Sequence, residues 1–314
     1  MIVAVTGGTG FIGKHLIARH VARGDQVRYL TRRNAADDMR GAVAHTGDLG
    51  SSIDELRKFV HGADVLYHCA AELRNEAEME NTNVRGTANL LEAASGEIGR
   101  WVQLSSTGVY GSSLHGDIRE DSGISPVNAY ERSKARSDKL VCAATEKQNL
   151  PCVLLRPSNV YGTDMPNQSL FQLIRMIDRG WFFFIGKRGA AANYIHVENV
   201  VDALVLCATA GLSGYGRAYI VSDHRTLEDF IGIIAASLGK RAPQTRLPES
   251  LVRAVVALAG SVPEFPLKSS RVDALTDRTI YRTGRIESEL GYKNRISMEE
   301  GIGELARYWK NGST

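Results

Sequence analysis

The chain has 314 residues, 43% of them hydrophobic, which is enough to bury the core of one large α/β domain or of a large domain carrying a smaller one, and excludes a disordered chain. Its 38 basic and 35 acidic residues are interspersed and leave a formal charge of +3, so no broad field for DNA or RNA exists, while a slightly basic surface suits anionic small molecules. Cys69, Cys142, Cys152 and Cys207 lack metal-ligand spacing and three of them sit in apolar runs, which reads as buried free thiols in a reducing, cytoplasmic compartment, with no metal site.

In chain order, Ile2–Val5 is a short β-branched run that reads as a strand rather than a leader. Gly7-Gly8-Thr9-Gly10-Phe11-Ile12-Gly13 follows and opens a helical period over Gly13–Arg23. Three glycines between a strand and a helix have specific uses: Gly7 for a tight turn, Gly10 for close approach of backbone to a pyrophosphate, and Gly13 for packing of helix on strand. The placement predicts a dinucleotide site, with Phe11 and Ile12 on its first helical turn. The second strand, Gln26–Leu30, ends in Thr31-Arg32-Arg33. A Rossmann unit selective for NAD places an acid there against the ribose 2′-hydroxyl. A hydroxyl and two cations instead suit the 2′-phosphate of NADP, so NADP is expected over NAD.

Further strands are expected at Val43–His45, Val65–His68, Trp101–Leu104 and Val153–Leu155, and further helices at Ile53–Val60, Met79–Ala94 and Tyr130–Thr145. This alternation predicts an α/β fold, a Rossmann-type doubly wound parallel sheet over residues 1–160. Gly47-Asp48-Leu49 follows the third strand, and the small residues Ala70 and Ala71 follow the fourth, where a cofactor would lie over the strand ends. Five of the eight prolines fall beyond residue 160, among them Pro263 and Pro266, and the pattern loosens there. Residues 161–314 are therefore expected to form mainly a smaller C-terminal substrate lobe, with some segments returning to the sheet, and the polar end 310–314 to fray. Trp181–Ile185 reads as a buried strand beside the sheet. The longest apolar stretch, 251–260, includes Arg253 and is too short to span a bilayer.

Tyr130-Glu131-Arg132-Ser133-Lys134 puts a phenol and an ammonium four apart on one helical face, with Ser105-Ser106-Thr107 upstream at a strand end. A nearby ammonium, together with a positive nicotinamide ring, would bring the phenol down from about 10 toward neutrality. A serine hydroxyl would hold a carbonyl or alcohol beside it.

Taken together, TGGTGFIG at 6–13, GDL at 47–49, HCAA at 68–71, NTNVRGTANLLEAA at 81–94, SSTGVYG at 105–111, YERSK at 130–134, RPSNVYG at 156–162 and YIHVENVVDAL at 194–204 resemble the extended short-chain dehydrogenase/reductase family over nearly the whole chain. The resemblance implies Ser106 as the catalytic hydroxyl, with Thr107 as runner-up, Tyr130 as general acid/base, Lys134 on the nicotinamide ribose, and Asn83 supporting the site. It also implies Pro157 at the cofactor, and a homodimer formed by helices Met79–Ala94 and Tyr130–Thr145.

Asn159 in RPSNVYG resembles the position that contacts a substrate diphosphate in nucleotide-sugar enzymes of this group. Two departures narrow the reading. The Asp-Glu pair of 4,6-dehydratases is replaced by Thr107-Gly108, and the Arg-Asp before Tyr-Ile-His-Val is Ala192-Asn193, leaving Arg188 or Arg271 to supply the charge. The C-terminal part also resembles the dihydroflavonol reductase and 3β-hydroxysteroid dehydrogenase branch. An exchangeable NADPH fits net reduction of a keto group, with a 4-keto nucleotide sugar as the expected substrate. A nucleotide-sugar 4-epimerase holding NAD and a non-catalytic NADP sensor are the alternatives.

Overall fold

The computed structural model describes residues 1–32, 39–111, 116–148, 150–209, 211, 216–259 and 267–312. Arg33, Pro263, Pro266 and the last two residues, on which expectations fall, lie outside the described residues. Seven parallel strands form the central sheet: β1 (Ile2–Thr6), β2 (Gln26–Thr31), β3 (Ala42–Thr46), β4 (Val65–His68), β5 (Trp101–Leu104), β6 (Cys152–Pro157) and β7 (Arg217–Val221). Their order is β3-β2-β1-β4-β5-β6-β7, with the reversal between β1 and β4 that opens a crevice at the carboxyl ends of those strands. The six strands expected from the sequence are present. The seventh comes from the C-terminal half and aligns Val221 with Pro157 of β6.

Side chains alternate across this sheet, and both faces are buried except at the edge strand β3, where Val43 is exposed. Val3, Val5, Val102, Leu104, Val153 and Leu155 face a core closed by the helices Phe11–Ala22 and Val197–Thr209. Ala4, Leu66, Trp101, Cys152 and Leu154 face the other, closed by Ile53–Val60, Gly86–Ala94 and Ala129–Gln148. Ser52 starts Ile53–Val60 with a reciprocal capping box to Glu55. The expected helix Met79–Ala94 begins earlier, at Glu76, where Asn75 accepts from the Ala77 amide, and its middle is a π-helix over Glu80–Arg85. The widened turn carries Asn83, and periodicity at 3.6 residues could not foresee it.

A second core belongs to the C-terminal lobe, where Leu170, Phe230, Ile234 and Ile302 join the helices Ser169–Asp178, Leu227–Ser237 and Met298–Gly312. A three-stranded sheet of Asn159–Tyr161, Ala191–His196 and Asp223–Thr226 links this lobe to β6. The expected buried strand at Trp181–Ile185 needs correction. Only Phe184–Ile185 is a strand, and it pairs with Arg246–Leu247 rather than the central sheet. Trp181 is 62% exposed, with the Arg179 guanidinium over its ring. Cys152 and Cys207 are buried and Cys69 and Cys142 half-buried, all as free thiols. Among the described residues no helix is long and apolar enough to cross a membrane.

Candidate active site

The crevice begins at the turn after β1. Gly7 has φ +67°, and a Cβ there would meet the Ala70 amide nitrogen at 2.6 Å. A Cβ on Gly13 would stand 2.1 Å from the Gly7 carbonyl oxygen. Only glycine therefore lets the first helix close onto β1. Gly10 occupies the N-cap of Phe11–Ala22 and offers no side chain to cap it, so the first-turn amides face outward, where an anionic group gains both hydrogen bonds and the helix dipole. This cradle fits the diphosphate of a nicotinamide dinucleotide.

From the cradle a cavity of about 690 Å³ runs across the strand ends. It brings together Gly7, Gly10, Phe11, Ile12, Gly13, Thr31, Arg32, Asp48, Leu49, Ala70, Ala71, Pro157, Ser106, Tyr130 and Lys134. Arg32 is exposed at the far end of the cavity and Thr31 is buried. Asp48 accepts the Gly50 amide at 2.7 Å, which shapes the turn after β3. Glu72, Glu78, Asn81, Thr82, Ser158, Val160 and Pro166 also line the cavity. Asn81 and Thr82 open the NTNVRGTANLLEAA motif and Ser158 and Val160 belong to RPSNVYG, while Glu72 lies immediately after the Ala70-Ala71 pair. Its carboxylate accepts the Leu73, Arg74 and Asn75 amides and is held below the usual range mainly by the Asn75 and Arg74 amides.

At the other end, three consecutive residues after and within β5 meet the helix Ala129–Gln148. Tyr130 is hydrogen-bonded to Ser106, and the Lys134 ammonium donates to the Leu104 carbonyl at 2.6 Å. Ser106 caps the short 3-10 turn Thr107–Tyr110 by accepting the Gly108 amide at 3.0 Å. The lowering of the phenol expected from Lys134 is not produced by the protein groups. Burial pushes Tyr130 up to about 12, partly offset by Ser106, because the ammonium is directed at a backbone carbonyl instead. Burial also lowers Lys134 itself, opposed by the Asp138 charge.

Five expected site residues lie off the cavity. Asn83 is buried behind it, donating to Ser133 Oγ at 2.9 Å and to the Glu72 carbonyl while accepting the Glu72 amide, so it ties the Glu72 loop to the Tyr130 helix. Thr107 is buried and hydrogen-bonded to Tyr281. Asn159 is exposed on the three-stranded sheet. Arg188 is exposed, its carbonyl accepting from Arg278, and Arg271 donates to Gln172 Oε1 at 3.0 Å. A second cavity, of about 800 Å³, lies in the C-terminal lobe and shares no lining residue with the first. Lys187, Arg246 and Arg278 give it a cationic rim.

A model described as the NAD dependent epimerase/dehydratase family matches residues 3–221. The chain belongs to this family. The expected kinship with the extended short-chain dehydrogenase/reductases holds, and the protein is an enzyme of the NAD(P)-dependent oxidoreductase class. The 4-hydroxy-2-methyl-3-oxo-4-farnesyl-3,4-dihydroquinoline-1-oxide ketoreductase of Stigmatella aurantiaca is 29% identical, over 96% of this chain and 94% of its own. The 3beta-hydroxysteroid-dehydrogenase/decarboxylase isoform 1 of Arabidopsis thaliana is 27% identical, over 95% of this chain and 77% of its own. Among solved structures, the UDP-glucuronic acid 4-epimerase from Bacillus cereus in complex with NAD superposes with a TM-score of 0.77 over the whole of both chains, at 18% identity. At that identity the likeness is one of fold.

Proposed function

We propose that this family member is an NADPH-dependent ketoreductase acting on a small anionic ketone, with a 4-keto nucleotide sugar as the favoured substrate. One arrangement carries the reading: Ser106, Tyr130 and Lys134 converge at one end of a cavity whose other end is a glycine cradle with Arg32 beyond it. When bound, reduced nicotinamide supplies the hydride. The protein supplies the proton. Tyr130 donates its phenolic hydrogen to the substrate oxygen, and Ser106 holds that oxygen through a hydrogen bond. A phenol kept protonated by burial has a hydrogen to donate at neutral pH. Lys134, one helical turn beyond Tyr130, is anchored on the Leu104 carbonyl.

Arg32 supports NADP, since its guanidinium lines the cavity where a ribose 2′-phosphate would lie. Gly108 in place of an acid argues against dehydration. A homodimer through the helices 76–94 and Ala129–Gln148 remains part of the reading, and Glu80 and Arg136 pair across these helices on their exposed side.

The test is NADPH oxidation across a panel of ketones, with mass spectrometry of co-purifying small molecules. Ketone-dependent oxidation supports the reading. Tightly retained NAD with a UDP-sugar, and epimerisation without net oxidation, would replace it with the epimerase.

A further inference from the structure

The helix Ala129–Gln148 makes a third contact with the end of β5. Four residues beyond Lys134 and eight beyond Tyr130, on the same helical face, stands Asp138, only 3% exposed. Its Oδ2 accepts the Ser105 hydroxyl at 2.8 Å. Tyr130, Lys134 and Asp138 thus hold Ser106, Leu104 and Ser105 from three successive turns of one helix.

The same Oδ2 accepts Arg156 Nε at 3.2 Å and Nη2 at 3.0 Å, and Arg156, on β6, also donates to the Tyr110 hydroxyl at 2.8 Å. Arg156 is itself 7% exposed, with its guanidinium 5.2 Å from the Tyr110 ring centre. Oδ1 is buried and has no hydrogen-bond partner. A carboxylate used for structure alone would gain by satisfying both oxygens. Here all the bonds fall on the oxygen that faces Ser105, and the charge stands one turn behind Lys134.

We propose that Asp138, with Arg156 as its counter-ion, positions Ser106 and Lys134 for proton transfer by Tyr130. The Ser105 hydroxyl and the Ser105 amide, which donates to the Leu155 carbonyl at 2.7 Å, fix the peptide that presents Ser106 to the cavity. The Asp138 charge offsets the burial that discourages a protonated Lys134. The groups facing this set are Arg156 from β6, Tyr110 from the 3-10 turn with Glu120 behind it, His68 from β4 and Cys69 after it, both beside Lys134, and Tyr130, Glu131, Lys134 and Cys142 from the helix itself.

Asp138→Asn separates charge from shape, because an amide oxygen in the Oδ2 position still accepts from Ser105 and Arg156. Asp138 favours the protonated forms of both Tyr130 and Lys134, so its neutralisation moves the alkaline limb of ketone reduction to lower pH. In Asp138→Asn, kcat is expected to fall on the order of tenfold, with KM for NADPH and its dissociation constant by fluorescence within about twofold. Asp138→Glu keeps the charge and is expected to restore the limb while kcat stays low. Unchanged kcat and limb, with only the melting temperature reduced, would overturn the proposal. Should Asp138→Asn fail to fold, Asp138→Glu and Arg156→Lys carry the comparison, since each keeps its charge while shifting the hydrogen bonds, and a wild-type kcat in both overturns it.

The activity arm rests on the ketoreductase reading. If the wild-type protein reduces no ketone, that reading fails by itself. The positioning claim is then decided by ¹³Cζ-tyrosine NMR, in which the resonance missing from Tyr130→Phe is expected to ionise at lower pH in Asp138→Asn. An unmoved resonance refutes it.

Discussion

Replacing Gly13 by alanine tests the cradle through a single methyl group. The added carbon would lie 2.1 Å from the Gly7 carbonyl oxygen, 2.8 Å from Gly8 Cα and 2.9 Å from the Gly7 carbonyl carbon. The worst of these is more than about 1 Å inside normal contact. All three neighbours are backbone atoms, so no rotamer change relieves the clash, and the turn must move away from the helix. Overpacking of this kind costs about 1–3 kcal/mol. Since Gly7 and Gly10 ride on the same turn, a comparable loss should appear in NADPH binding, about 5- to 140-fold in Kd at 1.4 kcal/mol per decade. Fluorescence titration of NADPH measures it, and the melting temperature is expected to fall by about 2–4 °C for each kcal/mol. Gly232→Ala is the control, placed within the helix Leu227–Ser237 with nothing within 4 Å of its added Cβ. It should raise stability by about 0.5–1 kcal/mol and leave NADPH binding alone. A Gly13→Ala protein that binds NADPH like the wild type would show that the helix does not need to close on β1, and the cradle argument would be wrong.

Tyr130→Phe should abolish ketone reduction while leaving NADPH affinity within about threefold, because only the proton donor is removed; a large loss of affinity would reassign Tyr130 to binding. Arg32→Ala should weaken NADPH more than NADH by about 1–3 kcal/mol, the range of a charge-assisted contact, and an equal effect on both coenzymes would remove Arg32 from the 2′-phosphate. His68 is buried between the Thr6 and Thr87 hydroxyls, and burial lowers it from 6.5 to about 3. The unfolded imidazole therefore takes up its proton first, and the stability it contributes is present above pH 6.5 and declines as pH falls toward 3. The melting temperature should drop between about pH 7 and pH 5, and His68→Gln should flatten that drop. His15, raised chiefly by Glu198, works in the opposite sense, so the difference between variant and wild type is the quantity to read, and identical slopes would sink the assignment.

Much of this protein is decided over a few residues of sequence. Gly7, Gly10 and Gly13 announce a strand-to-helix turn because the steric need for missing side chains is local. Tyr130 and Lys134 announce one helical face because a spacing of four fixes it. The alternation of strands and helices fixes the parallel sheet up to β6, since each strand carries its own apolar run. The tertiary structure decided what depends on packing between distant segments. Ser106 and Thr107 are adjacent hydroxyls that only the family resemblance ranked, and the folded chain pairs one with Tyr130 and the other with Tyr281. β7 exists as a sheet strand because β6 offers it an edge. Arg188 and Arg271 look available as charges, yet the C-terminal lobe carries them away from Tyr130. Asp138 reads as one more acid on a charged helix until β5 and β6 bring Ser105 and Arg156 onto the same oxygen. A carboxylate acquires a role from what surrounds it once water is excluded, and that is set only when the chain has closed around it.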